Sequence, residues 1–283
     1  MNTINRIGIM QGRLSKPING KIQSFPADNW EREFELAAEI GYGNIEWVID
    51  NEGIENNPLF SRNKSKTIFG LIKKYNISIP AVCHDQLMEF PLHSSDNKIS
   101  TIAQKILIKT MEVCGNFGIQ FIEIPLVGKA SLNQDCYIER LTDILSNLDA
   151  KAREYGLSFI LETDLSPESN SKMMEKMSGI SVGLNYDMGN SAYWGFDPDH
   201  ELPLIGMWIK NVHIKDCTPQ DYTLPLGKGN VDFKKVFNHL KYKNYNGLFI
   251  LQAAPAEQGK EKEIAKQYFQ FTQNQLANYY YES

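Results

Sequence analysis

Eight short apolar runs punctuate the chain, and between them the spacing of apolar residues turns helical. The runs are RIGIM (6–10), NIEWVI (44–49), SIPAVCH (78–84), FIEIPLV (121–127), SFILET (158–163), VGLNYD (182–187), NVHIKD (211–216) and GLFILQAA (247–254). Most are apolar on both faces, the pattern of parallel strands covered on one side by a core and on the other by helices. Between them, Ile68, Leu71, Ile72 and Tyr75 fall at i, i+3, i+4 and i+7, as do Ile99, Ile102, Ala103 and Ile106, and Phe233, Val236, Phe237 and Leu240. Tyr137, Leu141, Ile144 and Leu148 form a similar stripe, and a last helix over about 258–280 carries Ile264, Tyr268 and Phe271. Gly41, Asn76, Gly118, Gly156, Gly179 and Asn246 stand where these helices should stop.

Eight such units with no linker of biased composition predict one α/β domain over residues 1–283, a closed (β/α)8 barrel. The length of 283 residues suits it, since this barrel typically takes about 250. An open doubly wound sheet is the rival, but the first turn reads GIMQGRLS rather than G-x-G-x-x-G. The net charge of −5, with no block of Lys and Arg, argues against a nucleic-acid partner. Cys83, Cys114, Cys136 and Cys217 lie far apart, with neither a CxxC pair nor a disulfide framework. The amino terminus lacks an apolar signal core, and no apolar segment approaches the ~20 residues of a membrane span. The expectation is a soluble cytoplasmic protein with no membrane partner.

The chemistry gathers at strand ends. Strand five ends near Glu162, strand six in Asp187, strand seven carries His213 and strand eight ends near Gln252, at spacings of 25, 26 and 39 residues. In a barrel this sets four polar side chains from adjacent strands around one mouth, at the face where such barrels hold their active sites. Any one alone is better read as a rim residue or a satisfied core group; four in register outweigh that. Two carboxylates would repel each other there without a positive charge between them. With an imidazole and an amide oxygen they suit one divalent metal ion, Mn2+ foremost, with Mg2+, Co2+ and Zn2+ as alternatives.

The segments ILET, YDMGNS, VHIKD and PLGKGNVDF occur in that order, and here the chain resembles the sugar phosphate isomerase/epimerase family of xylose isomerase-like TIM barrels. That group also includes ketose 3-epimerases, inosose dehydratases and the type IV AP endonucleases. The resemblance spans essentially the whole chain and is strongest from Glu162 onward. It implies a metal held by Glu162, Asp187, His213 and the strand-eight residue. In the ketose epimerases that last residue is a glutamate, which works with the strand-five glutamate as acid and base on opposite faces of the substrate. Here it is Gln252. An amide oxygen can ligate a metal but cannot take a proton near neutral pH, so a symmetrical two-carboxylate mechanism is in doubt.

Glu162 remains as the carboxylate base as well as a ligand, with His84, Lys215, Asp216 or Glu123 as candidate proton partners. Arg13, Glu46, Trp47, Glu123, Trp194 and Lys228 are the candidate substrate-binding residues: Arg13 as an anion clamp, the tryptophans as stacking surfaces, Lys228 as a charge for an anionic substrate. The expected function is a metal-dependent isomerase or epimerase of a sugar, sugar phosphate or related polyol, acting through an enediolate. A dehydratase on the same centre is the alternative, and a non-catalytic sugar-binding barrel stays open because of Gln252. Five histidines are too few for the multi-zinc cluster of phosphodiester cleavage. The expected partner is a small carbohydrate, with a homodimer or homotetramer suggested by the resemblance.

Overall fold

Eight parallel strands close on themselves in chain order: β1 (Ile7–Met10), β2 (Asn44–Val48), β3 (Ala81–Cys83), β4 (Phe121–Leu126), β5 (Ser158–Thr163), β6 (Val182–Asp187), β7 (Ile209–Ile214) and β8 (Leu248–Leu251), with β8 paired back to β1. This computed structural model describes residues 6–18, 20–21, 23–219, 221 and 223–281. The main outer helices include Trp30–Ile40, Arg62–Tyr75, Asn97–Phe117, Asp135–Glu154, Pro167–Lys176, Phe233–Tyr242 and Glu261–Leu276. The closed (β/α)8 barrel expected from the alternating pattern is therefore the fold. Among the described residues, no helix is long and apolar enough to cross a membrane.

The pleat sorts side chains into two layers. Ile7, Ile9, Ile45, Trp47, Val82, Ile122, Ile124, Phe159, Leu161, Val212, Ile214 and Phe249 belong to the large core between sheet and helices. The alternate residues Met10, Val48, Cys83 and Ile250 form a separate small cluster, and Glu46, Glu123, Glu162, Asn185, Asp187, Asn211 and His213 are buried with the same strand parity. A side-chain period of two makes this division. The apolar plug is small, so much of the interior is polar.

Three differences from expectation have a clear physical reading. The seventh strand begins two residues earlier than the run 211–216, taking in Ile209 and Lys210. The left-handed residue after Phe233–Tyr242 is Asn244 (φ 53°), not Asn246, whereas Gly41, Asn76 and Gly118 do terminate their helices in that conformation. Helix Asn97–Phe117 buries Ser100, Ala103, Leu107, Thr110, Met111 and Cys114, leaving Ile102 exposed. Its apolar residues fit two adjacent phases. The structure takes the one in which Ser100 Oγ donates to the Leu92 carbonyl at 2.6 Å.

Candidate active site

His213 lies at the centre of the buried polar layer. Its Nε2 is 2.8 Å from Glu46 Oε1 and 3.4 Å from Glu123 Oε2, while Nδ1 is 3.4 Å from Glu162 Oε2. Asn185 Nδ2 lies 3.1 Å from Nδ1 and donates to Glu162 Oε2 at 2.8 Å. Asn211 Nδ2 donates to Glu46 Oε2 and to Asn185 Oδ1. Asp187 is directly opposite His213 in the β6–β7 register. One donor atom from each of Glu162, Asp187 and His213 lies within 4.8 Å of the others, and Glu46, Glu123 and His213 form a second such group.

The turn after β6 locks this geometry. Asn190 donates its side-chain amide to Glu162 Oε1 (2.7 Å) and its backbone N–H to Asp187 Oδ1 (2.9 Å), and its Oδ1 accepts from Lys215 Nζ (3.0 Å). Lys215 also reaches Asp187 Oδ2 at 3.3 Å. A Cβ at Gly189 would come within 2.6 Å of the Lys215 side chain. The D-x-G-N sequence thus supplies an acid, clearance for the lysine and an organising amide.

The charge balance favours a cation. Glu46, Glu123, Glu162 and Asp187 share a buried space with His213 and Lys215. Burial, reinforced by the charges of Glu46 and Glu162, pushes the Glu123 carboxyl well up. Burial works against ionisation of Glu162 too, but its hydrogen bond and charge interaction with His213, together with Lys215, hold it at about 2. At His213 burial is outweighed by Glu46 and Glu162, which carry the imidazole up to about 10. Buried carboxylates are stable only when paired or when they coordinate a metal.

Above this layer opens a cavity of about 180 Å3, lined in part by Arg13, Gln23, Asp85, Glu123, Glu162, Lys215 and Gln252. Gln252, buried just past β8, donates through Nε2 to Gln23 Oε1 at 3.0 Å, and its own Oε1 has no hydrogen-bond partner among the described residues. Gln23 Nε2 donates onward to Asp85 Oδ2 at 2.7 Å. Two carboxylates and an imidazole with an orphaned buried carbonyl beside them fit a divalent ion: Glu162, Asp187, His213 Nδ1 and Gln252 Oε1 are the residues that would hold it.

Of the expected site residues, Glu162, Asp187, His213, Glu46, Glu123, Lys215, Gln252 and Arg13 come together here. Three expectations are corrected by the pleat. His84 follows inward-facing Cys83 by one position, so it turns outward, with Nε2 3.0 Å from Thr110 Oγ1 on helix Asn97–Phe117. Trp47 is fully buried against Phe25 and Trp30 and donates to Asn57, so it offers no stacking surface. Asp216 accepts the backbone N–H groups of Gly227, Gly229 and Val231 at 2.8–3.1 Å, which makes it a loop anchor. A Cβ at Gly229 would strike Asp216 Oδ1 at 2.2 Å. Lys228 is exposed on that anchored loop. Trp194, 52 % exposed, borders a smaller adjoining cavity with Glu162 and Asp187. Gln23, Asp85, Asn185, Asn190 and Asn211 were not singled out from the sequence. Strand parity would have found Asp85, two residues after Cys83.

Comparison with known proteins agrees with this architecture. The family model of the xylose isomerase-like TIM barrel matches residues 34–274. The L-ribulose-5-phosphate 3-epimerase UlaE of Salmonella heidelberg (strain SL476) is 26 % identical over 250 residues, covering 84 % of this chain and 87 % of that protein. The fold is similar to that of the IOLI protein with a bound zinc atom (TM-score 0.78, 17 % identity, 98 % of this chain and 100 % of the other). It is also similar to that of D-psicose 3-epimerase with D-tagatose from Clostridium cellulolyticum H10 (TM-score 0.75, 13 % identity, 96 % and 99 %).

Proposed function

Because the chain belongs to the xylose isomerase-like TIM barrel family, we propose that it is a divalent-metal-dependent epimerase. It inverts the carbon beside the carbonyl of a ketose or ketose phosphate. The observation that carries this reading is the convergence of Glu162, Asp187 and His213 beside a sugar-sized cavity. The UlaE relative, named for a 3-epimerase of a ketose phosphate, favours epimerisation over aldose–ketose isomerisation.

A bound divalent cation would supply positive charge for the negative charge that develops on the substrate's carbonyl oxygen and neighbouring hydroxyl. The chain's own groups do the rest. Glu162 is the base, its two oxygens fixed by Asn185 and Asn190. It removes the proton from the carbon beside the carbonyl, and the electron pair moves into an enediolate. Glu46 accepts from His213 Nε2 and leaves Nδ1 directed at Glu162, the second-sphere arrangement that orients a ligating imidazole. Arg13 and Lys215 line the cavity and offer cationic donors to substrate oxygens or to a phosphate. Burial lowers Arg13 to about 10, so it stays charged at neutral pH.

The test is to load the purified protein with Mn2+, supply L-ribulose 5-phosphate or free L-ribulose, and follow the C3 epimer by NMR and mass spectrometry. A product of unchanged mass and inverted C3, absent from the His213→Ala variant, supports the reading. Loss of one water identifies a dehydratase instead. Saturable binding without any product identifies a sugar-binding barrel.

A further inference from the structure

Inversion needs a proton returned on the face opposite to its removal, and Gln252 cannot return one. We infer that Asp85 is the second acid/base group of this site, delivering a proton to the substrate carbon from the side away from Glu162. The inference rests on the epimerase reading and names the group that reading leaves open.

Strand register places it. Cys83 pairs with Glu123 across β3–β4, and Pro125 pairs with Glu162 across β4–β5. Asp85 stands two residues beyond Cys83, at the head of the short helix Gln86–Glu89. It lies in the same hydrogen-bonded row as Glu162 but nearer the mouth, because such rows climb about one residue per strand in a barrel of shear 8. Both carboxyl groups line the cavity. Glu123 also lines it, but sits one layer deeper, 3.4 Å from His213 Nε2. Asp85 is also held to the strand-eight position through a single intervening amide: Gln252 donates to Gln23 and Gln23 to Asp85.

The groups facing Asp85 are Gln23, Cys83, Arg13, Glu162 and Asp50. Burial first, then the charges of Glu162 and Asp50, lift it to about 6 against the pull of Gln23 and Cys83, within the range that serves proton transfer near neutral pH. The step balances. Glu162 takes the C–H proton and the carbonyl oxygen gains the charge. The carbonyl then re-forms as the Asp85 O–H bond breaks and its proton joins the same carbon from the other face. Glu162 is left protonated and Asp85 ionised, and exchange with water resets both without any co-reactant.

The experiment separates exchange from inversion. Mn2+-loaded protein is incubated with L-ribulose 5-phosphate in D2O, and deuterium at C3 of recovered substrate is measured beside epimer formed. In Asp85→Asn, inversion falls at least ~100-fold while deuterium still enters recovered substrate at nearly the parent rate, because Glu162 can return a proton to its own face. In Asp85→Asn with Gln252→Glu, inversion returns. Undiminished inversion in Asp85→Asn overturns the inference, and so does loss of exchange and inversion together in a variant that melts like the parent. Asp85→Ser serves if Asp85→Asn does not fold. If the parent protein shows neither exchange nor inversion, the epimerase reading itself fails and takes this inference with it.

Discussion

Asn190 ties together three charged groups of this site, Glu162, Asp187 and Lys215. One side chain orients Glu162 and accepts from Lys215, and its own backbone N–H holds Asp187. Second-sphere partners of this kind typically cost 10–100-fold in metal affinity when removed. Asn190→Ala should therefore weaken Mn2+ binding by about that factor in calorimetric titration, with the barrel still folded; unchanged affinity would show that Glu162 and Asp187 need no such support. The same scale shows what the sequence made legible. Acids and imidazole at successive strand ends pointed to Glu162, Asp187 and His213 directly. His84, Trp47 and Asp216 were misjudged because each stands one position from an inward-facing residue (Cys83, Glu46, Lys215), and a period of two reverses the face at every step. The asparagines gave no signal of their own, because an amide becomes functional only through its neighbours.

Two loops beside the site are held by buried acids. Asp216 gathers three amides of the segment after β7. Glu33, on helix Trp30–Ile40, accepts from Gly12 N, Leu14 N and Ser15 Oγ in the loop that carries Arg13. Burial raises the Glu33 carboxyl to about 7 despite these donors and Arg13. The folded state therefore holds this proton more tightly than the unfolded chain does. The stability from that preference is fully present below the unfolded value near 4.5 and is lost as pH rises through about 7. Its full span is roughly 3 kcal/mol at 1.36 kcal/mol per pKa unit. Glu33→Gln removes this contribution, so urea unfolding at a series of pH values should show a flatter stability profile between pH 5 and pH 8 in the variant. An identical slope in both proteins would contradict the assignment. Element positions were largely legible because parallel strands and amphipathic helices have distinct periods. The exceptions, the early start of β7 and the phase of helix Asn97–Phe117, lie where apolar residues occupy both faces and tertiary packing makes the choice.

At the scale of the whole molecule, the barrel encloses a polar layer that an apolar plug would have filled more stably. Met10, Val48, Cys83 and Ile250, with half-buried Leu248 against them, form a small apolar cluster inside the ring, and beside them four carboxyl groups face one imidazole and one ammonium. Buried charges lacking full compensation are costly, and removal of a partner typically costs 3–5 kcal/mol. A divalent ion at Glu162, Asp187, His213 and Gln252 would relieve part of that imbalance only in the folded state, since the four positions are distant in sequence. Binding should thus appear as stability: an ion at 100 times its dissociation constant adds about 2.7 kcal/mol. For a chain of this size, that raises the melting temperature by about 4–5 °C. EDTA-treated protein should melt lower than protein supplied with Mn2+, and His213→Ala should melt at one temperature under both conditions. A barrel that melts identically with and without every divalent ion has satisfied its interior by proton sharing among Glu46, Glu123 and His213 alone.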